Sequence, residues 1–320
     1  AKPCVAWSVQ YSTLTYGRIL LRPARAADEA DGKRDTMRFA YAGIDMMSTV
    51  FATLLKAGWT PVKLFTRPCN NPLDSNDHVV DLAGKAGIPA QLSPIREEDL
   101  VALAAQDTQC LIVSGYPWKV LGWEPHLPYA LNFHPSPLPE GRGPYPLMRA
   151  LVENRAEWGV TAHKLSPRFD AGDIIDRETF PVSAHDDSDS LLIRCQFAAG
   201  RIAERLATEL PRLWQNARPQ DAGSYWQRTT NNDRRLPFEQ GTAAVLAHLR
   251  AFGRIHCIAR IGESSLYIRN ASGWEEAHDH RPGTLVTRYQ QQLVIATSDG
   301  YVVLTQWSLT EPQAPPTGAR

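Results

Sequence analysis

The chain lacks a net charge: its 320 residues carry 34 lysines and arginines against 34 aspartates and glutamates. No global field therefore draws it to DNA, RNA or an anionic membrane, although local patches stay open. It has no run of about eighteen apolar residues, and its N-terminus has no continuous apolar core, so neither a membrane span nor a secretory leader is expected. Its cysteines, Cys4, Cys69, Cys110, Cys195 and Cys257, are odd in number and far apart, without any C-x-x-C pair. That argues against a disulfide framework and a zinc knuckle, and fits a cytoplasmic, reducing setting. No G-x-G-x-x-G follows the first strand-like run, which disfavours an ordinary dinucleotide-binding domain. What remains is a chain long enough for two domains, with a small molecule as the expected partner.

The first 36 residues show no sustained period, and residues 24–35 are Ala-rich with mixed charge. They read as an extension outside the core, with Met37 as the expected start of the folded part and of translation; the alternative is an edge strand at residues 4–9. From Met37 the texture changes. Residues 37–43, 61–66 and 110–114 read as strands, and 46–57 and 79–86 as helices, the second closed by Gly87. This alternation predicts a Rossmann-like α/β fold whose parallel sheet is covered on both faces, with ligands outside the carboxyl ends of the strands. A helix over 145–153, strands over 160–165 and 174–180, and a long helix over 191–210 complete an expected domain of residues 37–222. Beyond it a helix at 243–251 precedes short strands at 255–260, 265–269, 293–297 and 301–307. Their spacing predicts a small β-rich, barrel-like or sandwich domain over 223–310, and the Pro-rich residues 311–320 read as a tail.

The densest chemistry lies in Leu131-Asn132-Phe133-His134-Pro135-Ser136-Pro137-Leu138-Pro139-Glu140-Gly141-Arg142-Gly143, a stiff Pro/Gly loop after an apolar run. It places an amide, an imidazole and a guanidinium at an expected strand end. Arg168-Phe169-Asp170-Ala171-Gly172-Asp173 supplies a carboxylate, Asp170, able to orient the histidine; Asp173 reads as a turn or cap residue. Asn132, His134 and Asp170 are the candidate catalytic residues. No metal is required by this set.

These segments resemble the folate-dependent formyltransferases over roughly residues 37–309. Asn132-Phe133-His134 is similar to the family's N-x-H, Ser136-Pro137-Leu138-Pro139 with Arg142-Gly143 to its S-x-L-P-x-x-R-G, and Asp170-Ala171-Gly172-Asp173 to its D-x-G-D. The resemblance implies transfer of a formyl group from 10-formyltetrahydrofolate to an amine through a tetrahedral intermediate. Asn132 would stabilise charge on the formyl oxygen, an effect of roughly 3 to 4 kcal/mol per donor. His134 would share that task or move the proton, as imidazolium or as neutral base, with Asp170 setting its tautomer and charge. The resemblance also implies a donor pocket at Ser114, Gly115, Tyr116, Pro117 and Trp118, with Ser136, Leu138 and Arg142 shaping the neighbouring loop.

The acceptor is read from a departure. In members that act on methionyl-tRNA, the segment after the second strand carries a basic insertion, whereas residues 68–78 here have no lysine or arginine and contain Asp74 and Asp77. Residues 224–320 hold ten arginines, no lysine and eight acidic residues, a weak platform for a phosphate backbone. A small-molecule amine or hydroxylamine, such as an amino sugar or an amino-acid derivative, is therefore the expected acceptor, and Arg234 and Arg235 are candidates to meet its phosphate or carboxylate. The alternatives are a methionyl-tRNA formyltransferase, a 10-formyltetrahydrofolate hydrolase and a non-catalytic folate-binding protein. The resemblance further admits a homodimer.

Overall fold

A computed structural model describes residues 36–69 and 73–312. The expectations for residues 1–35 and for most of the tail lie outside the described residues.

The first half of the chain alternates strand and helix: β1 (Arg38–Gly43), α1 (Ser48–Lys56), β2 (Thr60–Phe65), α2 (Asp77–Ala86), β3 (Ala90–Gln91), α3 (Glu97–Ala104), β4 (Cys110–Ser114) and β5 (Tyr129–His134). There follow α4 (Pro146–Val152), β6 (Glu157–Lys164), β7 (Ile174–Pro181) and α5 (Ser188–Gln215). The strands form one seven-stranded sheet in the order β3-β2-β1-β4-β5-β6-β7. Strands β1 to β5 are parallel, as expected, but β6 runs antiparallel to both β5 and β7. The sheet is therefore a mostly parallel one in which β6 alone runs against its neighbours. Although α4 lies between β5 and β6, it packs on α5 and on the later helix α6 (Thr242–Phe252), and the chain returns in the opposite sense. Strand burial is similar in either direction, so the pattern in the sequence could not tell them apart.

The central strands explain their own composition. All five residues of β4 are buried, because helices or loops cover both faces of the sheet. Period two then sorts the side chains. Phe39, Tyr41, Cys110, Ile112, Leu131 and Phe133 enter the larger core beneath α1 and α5. Ala40, Ala42, Leu111, Val113 and Ala130 enter a smaller core with Leu100 and Leu103 of α3. Asn132 and His134 share the alternation of Ala130, so they face the side of the smaller core.

The later strands are β8 (Cys257–Ile261), β9 (Ser264–Glu275), β10 (Leu285–Tyr289), β11 (Gln292–Ala296) and β12 (Gly300–Ser308). They form an antiparallel sheet ordered β10-β11-β12-β9-β8, and among the described residues no pairing joins its two outer strands. Helix α6 packs on β9 and β12. The β-rich expectation matches this sheet, with β10 as a strand the sequence pattern had not marked. No helix among the described residues is long and apolar enough to cross a membrane.

Candidate active site

The carboxyl end of β5 delivers Asn132 and His134 to one wall of a cavity of about 890 Å³. The antiparallel register sets His163 of β6 directly across from Asn132. The His163 Nδ1 lies 2.8 Å from the carbonyl of Lys164, which can only accept, so that nitrogen carries the ring proton. Its Nε2 is then the acceptor, 3.0 Å from Asn132 Nδ2. Burial drives this ring toward neutrality, pushing its pKa down to about 4 despite the opposing pull of Asp170. One amide hydrogen of Asn132 is thereby held, and the orientation of its carboxamide is fixed.

The ring of His134 is also assigned by a carbonyl. Its Nε2 donates to Gly141 O at 2.8 Å. Its Nδ1 stands 3.4 Å from Asp170 Oδ1, and the other oxygen of Asp170 accepts from the Gly143 amide at 2.9 Å. With Nε2 committed, Nδ1 is the nitrogen free to exchange a proton, on the side of Asp170. Asp170 itself has a left-handed backbone with φ 54°, a conformation non-glycine residues seldom adopt, held where two loops meet. Asp173 pairs with the end of β6: its carbonyl accepts from Lys164 N and its carboxylate lies 3.4 Å from the Lys164 ammonium.

The loop after His134 is pinned from β6. Thr161 accepts from Leu138 N at 3.0 Å and donates to Ser136 O at 2.8 Å, while Trp158 Nε1 donates to Pro135 O at 2.8 Å. Ser136 and Leu138 are consequently fully buried and do not line the cavity. Nor do two other residues expected beside the donor. Ser114 is buried at the end of β4, its carbonyl receiving Ile44 N, and Arg142 turns its guanidinium to Gln220 and the Asp221 carbonyl, both at 2.9 Å. Gly115, Tyr116, Pro117 and Trp118 do line it, together with Val113, Leu165 and Phe169. The Tyr116 hydroxyl accepts from Ile95 N at 2.9 Å, and burial pushes its pKa up to about 12. Arg234, a candidate for the acceptor's anion, is instead buried in the second half of the chain, bound to the Ile255 and His256 carbonyls and to Glu311; Arg235 lies outside the cavity as well.

A second, polar wall comes from other loops: Arg67, Asp74, Tyr145 and Arg228. Asp74 is buried and accepts from the Arg67 guanidinium and the Tyr145 hydroxyl. Burial, reinforced by the Asp74 carboxylate, raises the Tyr145 phenol pKa. Arg228 lies over the Tyr145 ring, 5.7 Å from its centre.

Residues 103–205 match the family model described as formyl transferase, and residues 228–314 match the formyl transferase C-terminal domain. Together these span more than half of the sequence, and the first contains Asn132, His134 and Asp170. The chain belongs to the formyl transferase family. It is similar to a curated methionyl-tRNA formyltransferase of Marinobacter nauticus, 27% identical over 290 residues, covering 85% of this chain and 92% of the relative. Its counterpart in Hahella chejuensis is 24% identical, covering 85% and 90%. Among solved structures, an N-formyltransferase from Helicobacter canadensis in complex with folinic acid and dTDP-3-aminofucose aligns with TM-score 0.63 at 16% identity, over 85% of this chain and all of that one. HypX from Aquifex aeolicus in complex with tetrahydrofolic acid aligns with TM-score 0.59 at 20% identity, over 85% of this chain; the chain spans only 44% of HypX. At these identities the structural likeness concerns the fold.

Several site residues of this formyl transferase were not singled out in the sequence: Arg67, Tyr145 and Arg228 of the polar wall, and His163 opposite Asn132. His163 is a lone histidine in an apolar strand, and only the β5–β6 register reveals its pairing with Asn132. Its spacing of seven residues before Asp170 on a predicted strand was the one available signal. Among the described residues no group of three or more His, Cys, Asp or Glu side chains is arranged to hold a metal ion.

Proposed function

We propose that the protein transfers the formyl group of 10-formyltetrahydrofolate to a small primary amine or hydroxylamine that carries a carboxylate or phosphate. The donor fits the cavity's chemistry: Gly115, Tyr116, Pro117 and Trp118 with Leu165 and Phe169 offer an apolar, aromatic wall for a flat ring system beside the Asn132 amide. The free amide hydrogen of Asn132 meets the formyl oxygen as the amine attacks and negative charge grows there. His134 moves the proton between the incoming amine and the folate nitrogen through Nδ1, and Asp170 supports the ring when it is doubly protonated. His163 keeps the Asn132 amide turned the right way.

The observation that carries the acceptor class is the polar wall. Among the described residues, Arg67 Nε is buried without a hydrogen-bond partner and Arg228 has neither an ion pair nor a hydrogen bond to occupy it. Two guanidinium groups against one carboxylate favour an anion on the acceptor. A charged initiator tRNA is the second reading, favoured by the curated relatives. It is opposed by the absence of basic residues in 68–78 and by the mixed charge of 224–320.

Absorbance-monitored loss of 10-formyltetrahydrofolate tests the assignment in three mixtures: no acceptor, aminoacylated tRNA, and amines bearing a carboxylate or a nucleotide phosphate. Turnover dependent on an anionic amine, with its KM raised by Arg228→Ala, is the expected result. Turnover dependent on tRNA overturns the acceptor class, and equal turnover without any acceptor identifies a hydrolase.

A further inference from the structure

Residues 218–226, which leave α5 for the second half of the chain, lie across both loops that hold His134. Arg218 exchanges two backbone hydrogen bonds with Ile174 on β7, at 2.7 and 2.9 Å. Further on, Arg142 N donates to Ser224 O and Trp226 N donates to Arg142 O. Ser224 Oγ accepts from Gly141 N at 2.8 Å. The segment therefore fixes the backbone on both sides of the Gly141 carbonyl, the group that receives His134 Nε2.

Besides the Asp170 carboxylate's own bond to Gly143 N, a second side chain joins the two loops. Gln220 donates through Nε2 to the carbonyls of Asp170 at 2.9 Å and Gly172 at 2.7 Å, and accepts through Oε1 from Arg142 Nε at 2.9 Å. Both of its amide hydrogens and its oxygen are used. The Asp170 loop and the 141–143 loop are distant in sequence, and each sets one nitrogen of the His134 ring, so their spacing decides where Nδ1 stands. Close backbone packing allows little slack, since a side chain at Gly143 would meet Trp226 O at 2.1 Å and one at Gly172 would meet Lys164 O at 1.9 Å.

We infer that Gln220 is a positioning residue for the transfer reaction, clamping the His134 and Asp170 loops into one geometry from the inter-domain segment. This rests on the reading that His134 and Asp170 act in the chemistry. Loss of the clamp leaves the binding walls in place and misplaces the ring, an error of about an ångström that costs on the order of a hundred-fold in rate.

The test compares steady-state kinetics of Gln220→Ala and Gln220→Glu, alone and with Asp170→Ala, using 10-formyltetrahydrofolate and the amine that supports turnover. Gln220→Glu keeps the shape and the Arg142 contact but turns an acceptor toward two carbonyls, and thermal unfolding verifies that each variant is folded. The expected result is a kcat lower by about ten- to a hundred-fold with KM for both substrates within about three-fold, and less than about two-fold further loss on adding Gln220→Ala to Asp170→Ala. Full activity in folded Gln220 variants, a rise confined to KM, or full additivity with Asp170→Ala overturns the clamp. Full activity of Asp170→Ala alone overturns the underlying reading, and the clamp with it; an inactive Asp170→Ala beside fully active Gln220 variants overturns the clamp alone.

Discussion

His163 ties stability to pH. Its unfolded pKa is near 6.5 and burial lowers the folded value to about 4. A histidine held neutral by folding leaves the unfolded state binding more protons, so stability is present above pH 6.5 and falls as the solution is acidified toward pH 4. Replacing the ring removes that dependence. His163→Gln should lose about 2 kcal/mol less stability than the parent between pH 7 and pH 5, measured by denaturant unfolding at each pH. An identical pH slope in the two proteins would mean that the ring takes up its proton in the folded state. His248 and His256 are also shifted down by burial, but both remain in the variant, so the difference reports His163.

At the scale of elements, the β5–β6 pair governs how the site is built. Asn132 faces His163 and His134 faces Thr161 across the same register, so one strand orients the amide and anchors the loop behind the imidazole. Thr161→Val removes the acceptor for Leu138 N and the donor to Ser136 O in a buried place. It should destabilise the protein by about 1 to 3 kcal/mol, and unchanged unfolding free energy would show that the loop holds itself. Asn132, His134 and Asp170 were legible in the sequence because rigid Pro/Gly surroundings and an ordered set of motifs marked them. The strands on which they depend were legible too, β4 being four apolar residues closed by Ser114 and Gly115. What stayed hidden depends on pairing or on weak burial. Helix α3 opens with Glu97, Glu98 and Asp99 and buries only Leu100 and Leu103, and β10 is a largely exposed edge without the alternation of a half-buried strand. The direction of Arg142 could not be read at all, since its partners lie about eighty residues away, at Gln220 and Asp221.

For the whole molecule, residues 37–222 and 223–310, proposed as two domains, share apolar surface. One apolar cluster runs from Phe39 through Trp158 and Leu206 to Val245, Ile268 and Leu304. Helix α6 packs on α4, Trp226 stacks on Trp158 at 5.5 Å, and Arg254 pairs with Asp189. A chain of residues 36–222 would expose this surface and lose Ser224 and Trp226, which brace Gly141 and Arg142. It should therefore unfold at a clearly lower temperature than the full chain and show no transfer activity; a fragment with the parent's unfolding temperature and turnover would show that the second half is dispensable.

Asn132, His134 and Asp170 are proposed to promote direct transfer of the formyl group from 10-formyltetrahydrofolate to an anionic small amine. The most direct measurement supplies donor with an isotope-labelled formyl carbon and follows the label by nuclear magnetic resonance, comparing the parent with folded Asn132→Ala and His134→Ala. The account predicts that the label appears as an N-formyl group on the amine, at a rate reduced by about a hundred-fold or more in either variant. Label that ends as free formate, that moves only to tRNA, or that moves as fast in the variants would contradict it.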